Sequence, residues 1–178
     1  MLASHEIGAS RHAFLFKSAL DCDLLGRDVA SVHARPAKSM EDQVKALYDN
    51  AVSGNVDAFE HLRQAATQGN PYAENAVGMI YLKGNESVPQ DAVQAVTWLR
   101  MAAEQGMYDA AYQVGELYCQ GIGVYQDYTE AVKWMRQAAE EGKLPAAQKR
   151  LAEMYRGGLG VPANAAEAEK WKKAGWSK

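Results

Sequence analysis

An all-α solenoid of antiparallel helix pairs is the fold class predicted for this chain, on three observations. Trp98, Trp134 and Trp171 recur 36 and 37 residues apart, and Tyr81, Tyr118 and Tyr155 recur 37 apart. Gly84, Gly121 and Gly158 follow those tyrosines by three residues, and Ala95, Ala131 and Ala168 precede the tryptophans by three. Between them Val88, Val124 and Val161, then Asp91, Asp127 and Asn164, keep the same order. A period of this length marks a unit that cannot bury its apolar face alone and must stack on its neighbours. No stretch shows a convincing period-two alternation of the kind that marks a half-buried strand.

The first helix of each unit is read from Ala73, Val77, Gly78 and Tyr81, which fall on one helical face. Ala110, Val114, Gly115 and Tyr118 repeat it, then Ala147, Leu151, Ala152 and Tyr155. A glycine inside a helix costs about 1 kcal/mol against alanine, so close contact with another helix must offset it. Gly84, Gly121 and Gly158 are expected as left-handed C-caps. The loops Gly121-Ile122-Gly123-Val124 and Gly158-Leu159-Gly160-Val161 match, whereas Gly84-Asn85-Glu86-Ser87-Val88 is one residue longer and lacks the second glycine. Its turn is therefore expected to differ. Asp91, Asp127 and Asn164 read as N-caps, and Gln94, Glu130 and Glu167 three residues on predict capping boxes. The second helix carries the alanines and the tryptophan.

Upstream, Ala58, Leu62, Ala65, Ala66 and Gly69 match Ala95, Leu99, Ala102, Ala103 and Gly106, so half a unit precedes the first full copy. Ser39 with Asp42 would cap a still earlier helix. The expected helices are 40–53, 57–68, 71–83, 91–105, 108–120, 127–141, 144–156 and 164–174. The expected organisation is an N-terminal extension, 1–38, then a solenoid, 39–178, made of a degenerate repeat (39–70) and repeats 71–106, 107–142 and 143–178. In the extension, Ala13, Phe16, Leu20 and Leu24 lie at helical spacing, which predicts a helix that caps the first repeat pair or fills the groove.

Composition narrows the function classes. The chain has 178 residues, net charge −3, 48% apolar and 23% charged residues, the proportions of a globular protein. About 30 residues are alanine and only 3 are phenylalanine, which suits helices that approach closely. The acidic balance argues against a nucleic-acid binder. No apolar run is long enough for a membrane span. Ala13-Phe14-Leu15-Phe16 ends at Lys17, too short for a signal sequence, so the expected compartment is the cytoplasm.

Catalytic and metal chemistry find little purchase. All four histidines, His5, His12, His33 and His61, precede the three clear repeats. No pair of residues has the C-x₂-C or H-x₃-H spacing of a metal site, and no cofactor is expected. The Gly-x-Gly pairs lack the strand and the further Gly or Lys of a phosphate loop, so they read as turns. Cys119 reads as a half-buried structural thiol, and Cys22 lies near His12, Asp21, Asp23 and His33 with no enforcing spacing. The tryptophans read as pegs between helices, and Trp176, off the period, as a seal on the last pair.

These residues resemble the Sel-one-like repeat family, relatives of the tetratricopeptide repeats. Ala110 through Gly142 carries the family pattern almost without exception, with Val114 in place of leucine. Residues 73–106 follow it apart from their loop, 57–69 carry its second half, and 144–178 follow it to Trp171. There Ala174-Gly175 departs from the pattern, so the last helix is expected to be short. The resemblance implies a right-handed superhelix that acts as a non-enzymatic scaffold or adaptor, often bacterial, holding a protein or peptide partner in its concave groove. It extends, by analogy alone, to a secretion-linked adaptor or an immunity protein that neutralises an effector. Two alternatives stay open: an envelope-associated factor in cell-wall or exopolysaccharide assembly, and, more remotely, a cysteine-dependent enzyme.

The first helix of each pair is expected to line the groove, where positions not used for packing would meet the partner. Those positions are Asn75, Met79, Tyr112, Gln113, Glu116, Lys149, Arg150 and Glu153, with Tyr72 and Tyr108 at the helix starts. Residues 41–129 hold 12 acidic and 4 basic side chains, whereas 130–178 hold 10 basic and 6 acidic. Such a charge dipole steers and orients a partner.

Overall fold

The computed structural model describes residues 39–176, with side chains through Gly175, all within one compact unit that spans residues 37–178. Eight α-helices lie among them: α1 Met40–Val52, α2 Val56–Thr67, α3 Pro71–Lys83, α4 Ala92–Glu104, α5 Tyr108–Gln120, α6 Tyr128–Arg136, α7 Pro145–Gly157 and α8 Ala165–Trp176. A π turn, Gln137–Glu141, prolongs α6. No strand occurs among the described residues. The expected helix of residues 10–25 and the sealing side chain of Trp176 lie outside what is described.

The helices form two rows. α2 packs on both α1 and α3, α4 on both α3 and α5, and α6 with its π turn on both α5 and α7. α2, α4 and α6 are thus each wedged between consecutive odd helices and α8 packs on α7, which covers one side of the odd row and, among the described residues, leaves its other side open. Small residues make this possible. Ala73, Ala95, Ala110, Ala131 and Ala147 are fully buried, with Leu62, Leu99, Met135 and Leu151 filling the space between rows. A Cβ on Gly78 would come within 2.7 Å of Leu99 Cγ, and one on Gly115 within 2.8 Å of Met135 Cε. The contact that offsets the cost of glycine in these helices is therefore the large side chain of the paired helix. The tryptophans divide: Trp171 is buried, but Trp98 and Trp134 are half-buried and close the rim of the core.

The loops fasten one unit to the one before. A Cβ on Gly123 would meet the Ala92 carbonyl oxygen at 2.2 Å, and one on Gly160 would meet that of Tyr128 at 2.1 Å. The second glycine of each Gly-x-Gly loop is thus a bare backbone seated on the first turn of the preceding even helix. The first loop seats differently. Asn85 Nδ2 donates to the Ala51 carbonyl (2.8 Å) and Ser87 Oγ to the Gly54 carbonyl (2.6 Å). Its departure from the pattern fits the short α1–α2 turn on which it rests.

Four expectations are corrected. Gly84 has φ 67° but ψ 167°, so it ends α3 without the left-handed conformation that Gly121 and Gly158 adopt. The capping boxes are half-formed. Asp91, Asp127 and Asn164 do accept from the backbone of their helices' first turns. Their own N–H groups, however, donate across the hairpin to the carbonyls of Tyr81, Tyr118 and Tyr155, at 2.9, 3.0 and 2.9 Å. Glu130 and Glu167 instead pair with Lys133 and Lys170. Only Ser39 and Asp42 form the full reciprocal box.

The 127–141 helix is not α-helical throughout. Seven residues separate Ala66 from Ala73 and Ala103 from Ala110, but eight separate Ala139 from Ala147. The extra residue is absorbed as the π turn, the usual response of a helix to a one-residue insertion. The positive φ of the turn moves from glycine to Lys143 (φ 54°). Finally, α8 is not cut short. Gly175 occupies the register of Ala102 and Ala138 and lets α8 approach α7, where a Cβ would lie 3.0 Å from Lys149 Cγ and 3.1 Å from the Pro145 carbonyl.

One charge is buried in this frame. Glu74 is 1% exposed and accepts from Gln105 Nε2 at 2.7 Å. Burial pushes its carboxyl above the usual range, the Gln105 bond opposes this, and nearby Glu104 adds to it. A carboxyl with a raised folded pKa binds its proton more tightly when folded. Its contribution therefore favours acid and is lost as pH rises from the unfolded value, about 4.3, through the folded one.

Two outcomes follow. Gly123→Ala is expected to lower unfolding free energy by at least about 2 kcal/mol in urea titrations, because both overpacking and a positive φ oppose it. Glu74→Gln is expected to gain on the wild type as pH is raised from about 4.3 through the folded-state ionisation of the carboxyl. A gap between their urea midpoints that stays constant with pH would contradict that account of Glu74.

Candidate functional site

The open side of the odd row carries the variable register positions. Asn75, Tyr112 and Lys149 are equivalent, as are Met79, Glu116 and Glu153, and as are Ala76, Gln113 and Arg150. Two residues before Asn75, Tyr112 and Lys149, a buried packing position holds alanine in every copy (Ala73, Ala110 and Ala147), whereas the buried position between is Glu74, Ala111 and Gln148. Asn75, Met79, Tyr112, Gln113, Glu116, Lys149 and Arg150 are half-buried, and Glu153 is exposed. Tyr72 is exposed at the start of α3, while Tyr108 is half-buried at the start of α5.

Three of these side chains, Glu116, Glu153 and Tyr112, meet around a fourth, Arg150. Its Nε lies 2.9 Å from Glu116 Oε1 across the α5–α7 boundary, and its Nη1 donates to Glu153 Oε2 at 2.9 Å. Glu116 Oε1 and Arg150 Nε are closed off from water, yet the N–H is not aligned on the oxygen. Tyr112 lies one helical turn before Glu116 and packs on the core. Burial raises its hydroxyl pKa, and the charge of Glu116 raises it further. Burial alone would lower the Arg150 pKa, but the hydrogen bond to Glu153 and the charge of Glu116 outweigh it, so the guanidinium stays charged. Met79 and Asn75 lie one repeat earlier, with Met79 packed against the larger core cluster.

Cys119 joins this group, which residue spacing did not suggest. It is 4% exposed rather than half-buried and belongs to the larger core cluster, although the same register position holds half-buried Leu82 and exposed Arg156. Burial pushes its thiol up, and Arg150 beside it pulls the other way without prevailing. A nucleophilic cysteine needs the reverse shift. Cys22 lies outside the described residues.

A second surface was also missed. Tyr125 is 97% exposed on the α5–α6 loop, where the other two copies carry Pro89 and Pro162. Beside it lies an open cleft of about 780 Å³ lined by Tyr118, Gly121, Gly123, Val124, Gln126 and Asp127. The break in the proline column was its signal. Among the described residues, no three His, Cys, Asp or Glu side chains are grouped to hold a metal ion, and no helix is long and apolar enough to cross a membrane.

A two-row stack of helix hairpins with a constant small-residue frame and a varied open face defines an α-solenoid of the binding-scaffold class. The Sel1 repeat model matches residues 55–70, 71–107, 109–143 and 145–171, and the chain belongs to that family, whose members are typically protein–protein interaction scaffolds. A Sel1 repeat protein from Oxalobacter formigenes is 33% identical with a TM-score of 0.61, over 65% of this chain and 87% of that one. A protective antigen of uropathogenic Escherichia coli with an SLR fold is 35% identical with a TM-score of 0.69, over 76% of this chain and 30% of that one. Helicobacter pylori cysteine rich protein B, 17% identical at a TM-score of 0.51 over 74% and 87% of the two chains, shares the fold. Among curated proteins, the chain is 27% identical over 119 residues to the ERAD-associated E3 ubiquitin-protein ligase component HRD3A of Arabidopsis thaliana. That match covers 67% of this chain and 18% of the relative, so the chain spans less than a fifth of its length.

Cys119 is expected to react with a maleimide at pH 7 at least about tenfold more slowly than free cysteine, given its burial and raised pKa. Reaction at or above the free rate, followed on a Cys22→Ser background, would revive the cysteine-enzyme alternative.

Proposed function

We propose that the protein is an adaptor that holds a protein or peptide partner against the open side of its odd helices, without transforming it. The observation that carries this reading is the contrast between columns. The buried Ala73, Ala110 and Ala147 column stays constant from repeat to repeat, while the partly exposed positions Asn75, Tyr112 and Lys149, and Met79, Glu116 and Glu153, change in size, polarity and charge. A rigid frame of this kind presents side chains in fixed places, which reduces the ordering cost of binding. Asn75, Met79, Tyr112, Gln113, Glu116, Lys149, Arg150 and Glu153 are the proposed contact residues. Tyr112 is the proposed anchor, since half-buried tyrosines supply much contact area at small entropic cost. The HRD3A relative, by its name a component of a ligase assembly, supports a holding role. The charge division of the chain supports a partner that docks in one orientation.

Cross-linking of the full chain to a co-purifying partner tests this. Cross-links are expected to fall on α3, α5 and α7, and Tyr112→Ala is expected to weaken the complex by about tenfold or more. Thr97→Ala, on the even row, is expected to leave it unchanged. Cross-links confined to even helices would overturn the reading.

A further inference from the structure

Glu60–Arg63 and Arg100–Glu104 are ion pairs within single helices, with side chains about half exposed. Pairs of that kind contribute little. Arg150–Glu116 differs in both respects. It joins α7 to α5 at 2.9 Å, and its side chains are 30% and 19% exposed.

Arg150 acts on more of α5 than one carboxylate. Tyr112, Glu116 and Cys119 are spaced four and three residues apart, so they form one stripe along α5. Arg150 pairs with Glu116, and its charge opposes the rise in pKa of both the Tyr112 hydroxyl and the Cys119 thiol. On α7 itself, Glu153 Oε2 accepts from Arg150 Nη1 at 2.9 Å, which holds the guanidinium at its own helix. The same register one unit earlier offers no such link. Gln113 stands on α5 where α7 has Arg150, and Met79 stands on α3 where α5 has Glu116. That counterpart pair cannot be ionic.

Glu116 Oε1 and Arg150 Nε are closed from water without an aligned hydrogen bond. Shielded charges in that state depend on each other. Removing one strands its partner, and removing the second then costs little more.

We propose that Arg150 is a positioning residue of the open face: it fixes α7 against α5 through Glu116, so that Lys149 and Glu153 stand in a set place relative to Tyr112. The inference rests on the groove reading above. It narrows the part that Arg150 plays there, from offering a charge to the partner to holding the surface that the partner meets. A face already held in its bound arrangement costs less to order on binding.

Two measurements on the full chain test this. Spin labels at Asp109→Cys on α5 and Arg156→Cys on α7, both exposed positions, report the spacing of the two helices by dipolar spectroscopy. A Cys22→Ser background and brief labelling leave only buried Cys119 as a further thiol, unreacted. A narrow distance distribution is expected for this parent. A broader one is expected for Arg150→Met and for Glu116→Gln, with no further broadening when the two are combined. Arg100→Met, which loses a pair within α4, is expected to leave the width unchanged.

Binding is read with a peptide selected on the full chain from a phage-displayed random library and lost on Tyr112→Ala. Arg150→Met and Glu116→Gln are each expected to weaken it by about tenfold, and the two together by no more than either alone. Arg150→Lys, which keeps a cation beside Glu116, is expected to recover part of the loss. Widths unmoved by either substitution, or losses of affinity that multiply, would overturn the positioning role and leave the groove reading standing. Broadened distances with affinity intact, or a library that yields no Tyr112-dependent peptide, would overturn both.

Discussion

The stack depends on backbone laid directly against backbone. At Gly123 and Gly160 the loop of one hairpin rests on the first turn of the preceding even helix, at distances that exclude any side chain. This seating joins successive hairpins on the loop side, while buried alanines and the Gly78 and Gly115 contacts bring the two rows together. Because close-packed interiors resist small changes in volume, such contacts hold the spacing of the repeats tightly. A rod of fixed spacing can then offer side chains at fixed intervals along its open face.

Hydrogen bonding follows the same economy. The N-cap residues of α4, α6 and α8 use their side chains to satisfy the helix start and their own N–H groups to clasp the tyrosine carbonyl of the preceding helix. A reciprocal capping box would have consumed that N–H locally. Spending it across the hairpin ties the two helices of each pair together at the loop end, which a local cap does not do.

The open face carries the variation that the frame forbids. Half-buried Glu116 and Arg150 link α5 to α7, with exposed Glu153 bonded to Arg150 on α7, and Cys119 lies against them as a packed thiol with a raised pKa. The one-residue insertion before α7 is accommodated where the chain turns, by a π turn and by Lys143 at positive φ, so the buried register of α7 is preserved. Irregularity is kept at the turns, and the open face of the odd helices remains regular in spacing while diverse in chemistry.

Repeat period, helix order and the identity of the packing positions were legible in the linear chain, because a solenoid's contacts are mostly between neighbouring units and recur with the sequence. The tyrosine, glycine, alanine and tryptophan columns are that recurrence. The outward columns could be named as candidates for the same reason. What meets what across units was not legible. The burial of Glu74, the approach of Arg150 to Cys119 and Glu116, the backbone seat of Gly123 and the diversion of the N-cap N–H groups each depend on distances between residues far apart in the chain. Local spacing shows which face a side chain takes; only the stacked helices decide what stands opposite it.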